Sequence, residues 1–119
     1  MQFSSQEAGR LEAVFDALKP WQSAISLSQA LALIVIARHP GLSVNELTEK
    51  LDQPQQTVSR HVAILLGRYQ TSETIEPRAF IRQEINVNDP RSRALFLSRE
   101  GHALLKALAA SSPKTTSRI

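Results

Sequence analysis

The sequence predicts a mainly α domain that carries one small β-hairpin. Five segments repeat apolar residues at helical spacing, and each begins or ends at a recognisable start or stop signal. Between residues 80 and 97 that spacing gives way to partial alternation around an Asn-Asp-Pro turn. The chain is 42% hydrophobic but only 5% aromatic, so its core must be built from Leu, Ile, Val and Ala, which suits helices packed on helices. At 119 residues it is sized for one domain, expected over 1–110, with a Ser/Thr/Lys-rich tail over 111–119 expected to be disordered.

The elements follow in order. Ser4 or Ser5 can cap a first helix whose Leu11, Val14, Phe15 and Leu18 form one stripe, and Pro20 stops it. Ser26 or Ser28 opens a second helix running to about Arg38. With Leu27, Leu31, Ile34, Val35 and several alanines it is apolar nearly all round, and is expected in the middle of the domain. Ser43 and Glu46 form a capping box for a short helix over Val44 to Leu51. Asp52, Gln53 and Pro54 make a tight turn, and Pro54 starts a helix that Gly67 closes. The stretch from Arg68 to Arg78 shows no period and is expected to be an exposed loop. Phe80, Ile81, Ile85 and Val87 form a first strand, Asn88, Asp89 and Pro90 the turn, and Ala94 to Leu97 the return. Ser98 then caps a last helix with Leu104, Leu105 and Leu108 on one face.

Composition excludes several chemistries. There is no cysteine, hence no disulfide, thiolate nucleophile or Cys-based zinc site. The longest apolar run, Ala30 to Ala37, falls far short of the ~20 residues a membrane span needs, so a cytoplasmic protein with no membrane partner is expected. His39, His61 and His102 match no metal-ligand spacing, and no phosphate loop or nucleophile elbow accompanies the glycines and serines. Neither an enzyme nor a bound metal or cofactor is expected. Charge is uneven: residues 1–54 set four cations against six carboxylates, whereas residues 55–99 set seven arginines against four. An arginine-rich second half suits phosphate contact, although a solvated basic surface would give the same count.

The segment from Ser43 to Leu65, SVNELTEKLDQPQQTVSRHVAIL, has the pattern of a helix-turn-helix, with the motif as a whole placed over 43–66. Val44, Leu47 and Leu51 of the short helix pack on Val58 and Val62 of the longer one. That frees the opposite side, where Gln56, Arg60 and Ala63 point outward, Thr57, Ser59 and Ile64 flank them, and Gln55 occupies the exposed first turn. Gln pairs bidentately with adenine and Arg with guanine, while Ser and Thr serve a base or a phosphate. Small Ala63 permits close approach to the groove. Gln55, Gln56, Ser59 and Arg60 are therefore candidates to read bases, and Thr57 to hold phosphate. On an isolated helix the same residues would be ordinary polar surface; their place beside a basic hairpin favours nucleic acid. His61 lies at the edge of this face, either packed on the preceding helix or touching phosphate.

The hairpin segment DPRSRALFLSREG, Asp89 to Gly101, resembles the wing signature of the MarR family: an Asp-x-Arg tip followed by Leu-x-Leu-[Ser/Thr]-x-x-Gly, with Asp89, Arg91, Leu95, Leu97, Ser98 and Gly101 in register. Together with the helix-turn-helix, the resemblance covers most of residues 24–106. It implies a winged helix-turn-helix with a wing over 79–98, DNA contact by Arg91 and a wing-bracing role for Asp89. Arg93 joins the DNA-contacting set on charge and position. An ordinary salt-bridged turn would also account for the Asp-x-Arg pair.

Two departures from the family stand out. About ten extra residues, near 68–78, separate the recognition helix from the wing, and the helical region after the wing is short. A homodimer is expected because one helix-turn-helix reads only a half-site, and it would rest on the first and last helices. Relatives often bind small aromatic or phenolic effectors, but no residue pattern here specifies one. The function implied is sequence-specific double-stranded DNA binding as a transcriptional regulator. The alternative is a winged helix used for protein contacts, or for replication, plasmid or phage control.

Overall fold

The computed structural model describes residues 3–68 and 79–111. Most of the expected loop over 68–78 and of the tail over 111–119 lies outside the described residues. The order is α1 (Ser5–Leu18), a short 3-10 turn (Lys19–Trp21), α2 (Leu27–Arg38), α3 (Val44–Leu51), α4 (Gln55–Leu65), β1 (Ile81–Asn86), β2 (Asp89–Leu97) and α5 (Arg99–Ser111).

Helix starts follow local chemistry. Ser4 caps α1 by accepting from the Glu7 N–H at 2.9 Å. Ser26 caps α2 and Ser43 caps α3, each closed into a reciprocal capping box by the residue three positions on, Gln29 and Glu46. The Ser43 N–H and hydroxyl hold the Glu46 carboxyl below the usual carboxylate range. Asp52 ends α3 in the left-handed conformation, φ 52°. The sharp turn leaves Pro54 extended at the N-cap of α4, one position before the first helical residue, Gln55, and not itself the start of the helix.

The core lies where α2, α3, α4, the hairpin and α5 converge. Leu33, Ile36, Leu47, Val58, Leu65, Phe80, Ile81, Leu95 and Leu104 are all under 2% or at 2% exposed. Leu47 supplies the buried contact of α3, and Val58, Val62 and Leu65 form the inner face of α4. Those seams fix α4 against α3 and leave its opposite face free.

The hairpin is antiparallel, and its sheet has more reach than two strands. The Gly41 N–H donates to the Leu95 carbonyl at 2.8 Å, and the Leu95 N–H donates to the Leu42 carbonyl at 2.9 Å. A two-residue rung between α2 and α3 therefore pairs with β2 and ties the wing to the helical core. Gly41 adopts φ +92°, a conformation that a β-carbon disfavours. At the tip, pairing runs Ile85 to Arg93 and then Asn86 to Asp89, so Pro90, Arg91 and Ser92 bulge out of β2. The turn thus falls at Val87 and Asn88 rather than at Asn88 to Pro90, and the returning strand begins at Asp89. A bulge accommodates Pro90, which has no N–H to pair.

The junction of hairpin and last helix is tight. Ser98 donates its hydroxyl to the Ala79 carbonyl at 2.5 Å and accepts from the Gly101 N–H at 3.2 Å. A β-carbon on Gly101 would lie 2.1 Å from the Phe80 carbonyl oxygen. Gly101→Ala is accordingly expected to destabilise the fold by about 1–3 kcal/mol, the usual cost of overpacking, read as a lower thermal midpoint with unchanged helical content.

Two apolar faces differ from their sequence expectation. On α2 the buried side is Gln29, Ala30, Ala32, Leu33 and Ile36, while Leu27, Leu31 and Ile34 are 63%, 47% and 40% exposed. The helix is half inside the domain, not at its middle. Helix α1 buries none of its residues; it lies along α5, with Leu11 and Phe15 more than half exposed.

Candidate nucleic-acid interface

Gln55, Gln56, Thr57, Ser59 and Arg60 are all exposed on the first two turns of α4. Gln55, Gln56, Ser59 and Arg60 line one continuous shallow depression. Pro54 offers α4 no side-chain cap, so the N–H groups of its first turn are not occupied by a capping oxygen. A free helix N-terminus suits an anion such as a phosphate. Gln55 is partly committed: its Nε2 donates to Asn45 Oδ1 on α3 at 3.2 Å. Asn45 had no periodic or charge signal in the sequence, and it enters the site only through this cross-helix contact. Ala63 and Ile64 are half-buried, so the fully exposed part of the face ends near Arg60.

The hairpin supplies a second cationic element. Asp89 Oδ1 accepts from the Arg91 backbone N–H at 3.2 Å, and the Asn88 N–H donates to Asn86 Oδ1 at 3.0 Å. These are turn-type bonds from a side chain to the backbone two residues on. Arg91 is exposed on the bulge. Arg93 is exposed too, but its guanidinium donates to the Pro90 carbonyl at 3.0 Å, which folds the side chain along the bulge. Lower on the hairpin, Arg82 pairs with Glu84 and lies over the Phe96 ring, 4.8 Å from its centroid. That leaves Arg91 and Arg93 as the outer cations of the wing and gives Arg82 a local structural role. Val87 tops the turn at 92% exposure.

His61 lies at the inner edge of α4. It is half-buried and meets Gln29 of α2. Among the described residues no group of three or more His, Asp or Glu is placed to hold a metal ion. No helix among them is long and apolar enough to cross a membrane.

A family model described as the MarR family matches residues 25–68, which run from the start of α2 to just past α4. No curated protein matches the chain in sequence. Solved structures do match in fold. The S. aureus MepR–DNA complex superposes with a TM-score of 0.67 at 20% identity, covering 84% of this chain and 73% of that one. RV1404 from Mycobacterium tuberculosis gives a TM-score of 0.69 at 16% identity, covering 87% and 65%. A mutant MarR from E. coli complexed with operator DNA gives 0.64 at 18% identity, covering 85% and 64%. This chain spans just under two thirds of the latter two. The chain shares the winged-helix fold of these proteins, and its residues 25–68 match the MarR family model.

Proposed function

We propose that this chain is a sequence-specific double-stranded DNA-binding protein of the transcriptional-regulator class, working in the cytoplasm as a homodimer without catalytic activity. The observation that carries the reading is the continuous exposed face of Gln55, Gln56, Ser59 and Arg60 at the uncapped start of α4, in a domain whose hairpin also exposes Arg91 and Arg93. Helix α4 enters the major groove, where Gln55, Gln56, Ser59 and Arg60 meet base edges and Thr57 meets phosphate. Arg91 and Arg93 hold the flanking backbone or minor groove, and Asp89 keeps the bulge that presents them in shape. The relatives solved with DNA, MepR and MarR, support this choice of partner.

The homodimer reading is supported by the apolar surface left open on α1. Leu11 and Phe15, 52% and 54% exposed, sit one turn apart on a helix that has no fully buried residue. Replacing both with glutamate is expected to convert a dimer to a folded monomer in sedimentation analysis, because charge is expelled from a dry interface. A parent protein that sediments as a monomer would contradict the dimer.

Binding to labelled duplex, measured by anisotropy across a salt series, tests the DNA reading. Affinity should fall steeply with salt as phosphate-bound counterions are released. Arg91→Ala should weaken binding to all duplexes alike and flatten the log–log salt slope by about one unit. A slope unchanged by that substitution would remove Arg91 from the phosphate-contacting set.

A further inference from the structure

Among the described residues Gln29 is the one polar side chain buried in the core, at 7% exposure, and it performs two tasks at once. Its Oε1 accepts from the Ser26 N–H at 2.9 Å, which closes the capping box of α2. Its Nε2 lies 3.3 Å from Nδ1 of His61 on α4. The first bond determines the second. A backbone N–H can only donate, so the amide oxygen must face Ser26 and the NH2 must face His61. An amide NH2 can also only donate, so Nδ1 of His61 must be the bare, accepting nitrogen, and the ring proton resides on Nε2. The α2 cap therefore dictates a histidine tautomer on the helix that carries the base-reading face.

We propose that Gln29 is a positioning residue for α4: it fixes how that helix sits on α2 by holding neutral His61, and protonation of His61 opens the clamp. This rests on the reading that α4 meets DNA. His61 directly follows Arg60, so a shift of its ring against α2 carries Arg60 and Ser59 with it. A protonated ring would set an N–H at Nδ1 against the Gln29 NH2, two donors with no acceptor between them, in a half-buried site where an unmade bond is costly. The charged groups on the elements packed against His61 face solvent, Asp52 at the end of α3 among them. On α3, Glu46, Glu49 and Lys50 are exposed. Arg60 on α4 itself is exposed. Arg38 of α2 is nine residues from Gln29, about 13 Å along the helix axis.

Gln29→Glu separates this role from simple structural support. Glutamate retains the capping box, since a carboxylate oxygen accepts from the Ser26 N–H equally well. Its second oxygen accepts from a protonated Nδ1, so the substitution replaces a clamp that opens on protonation with one that tightens. The test measures duplex affinity of parent and Gln29→Glu side by side from about pH 8 to about pH 5.5. Taking the ratio of the two affinities cancels the other histidines and the DNA. The expected result is that Gln29→Glu gains on the parent by roughly threefold or more as the pH falls. A ratio that stays constant with pH overturns the proposal.

Ring-nitrogen chemical shifts of His61 in the free parent at about pH 8 provide a measurement independent of any variant. They should show the proton on Nε2; a proton on Nδ1 overturns the clamp. If neither protein binds duplex at any pH, the DNA reading fails together with the clamp's role in it. The ring-nitrogen result then reports the Gln29–His61 geometry alone, which keeps the two failures distinguishable.

Discussion

Arg60→Ala is expected to reduce affinity for the preferred duplex by roughly five- to a hundredfold, the worth of one good bidentate base contact, and to relax preference at the base pair it reads. Arg60 is exposed on α4 and belongs to the same continuous face as Gln55, Gln56 and Ser59. Its guanidinium can approach a guanine edge, where its planar fork of donors fits the acceptors O6 and N7. Truncation to alanine preserves the helix, since alanine is the best helix former, so lost affinity will report lost contact. Loss at the preferred site should exceed loss on random duplex. Equal loss on both would mean that Arg60 holds phosphate, and the assignment of base reading would pass to the glutamines.

Phe80→Ala is expected to destabilise the domain by about 3–5 kcal/mol, a large part of the total for a single small domain. Phe80 is 2% exposed and joins three elements. Its N–H donates to the Leu65 carbonyl at the end of α4, at 2.7 Å, and its carbonyl accepts from the Ser98 N–H at the start of α5, at 3.0 Å. Alanine retains both backbone bonds, so the loss arises from the ring: transfer energy plus a cavity between α4, the hairpin and α5. The thermal midpoint should fall by roughly 15 °C or more. Because the same residue joins the hairpin to α4, the surviving folded fraction should also bind DNA less tightly. A midpoint within a few degrees of the parent's would show that the cavity collapses.

The helix-turn-helix was legible in the sequence because its signals are local. The Ser43–Glu46 capping box, the turn ending in Pro54, and the inward spacing of Leu47, Val58 and Val62 each specify a boundary or a face within a few residues. The Gly at 101 was legible only as part of a motif; its physical reason, the Phe80 carbonyl 2.1 Å from where a β-carbon would sit, needed the fold. Hairpin register was harder. An Asn-Asp-Pro run ordinarily marks a turn, but here Asp89 and Pro90 belong to a bulged strand and the reversal falls one step earlier. The rung at Gly41 and Leu42 is too short to show alternation.

Long-range relations were the least legible. Apolar residues on α1 and α2 announce burial without saying whether their cover comes from the same chain. Leu27, Leu31 and Phe15 have good periodicity yet are exposed within this chain. The Gln29–His61 bond joins residues 32 apart, and nothing in the spacing of either helix points to it. For the candidate interface, the sequence placed the polar residues of α4 on one outward face, and Gln55, Gln56, Thr57, Ser59 and Arg60 are exposed in the structure. It also reveals Asn45 as a neighbour to Gln55 and turns Arg93 back onto Pro90.

Selection from a random pool of duplex DNA, with the retained fraction sequenced, tests the central claim most directly. The expected result is enrichment of one motif with two-fold symmetry, its half-sites about one helical turn apart, as two copies of α4 in adjacent major grooves require. Failure to retain any duplex at low salt, or retention without an enriched motif, would contradict a sequence-specific DNA-binding dimer.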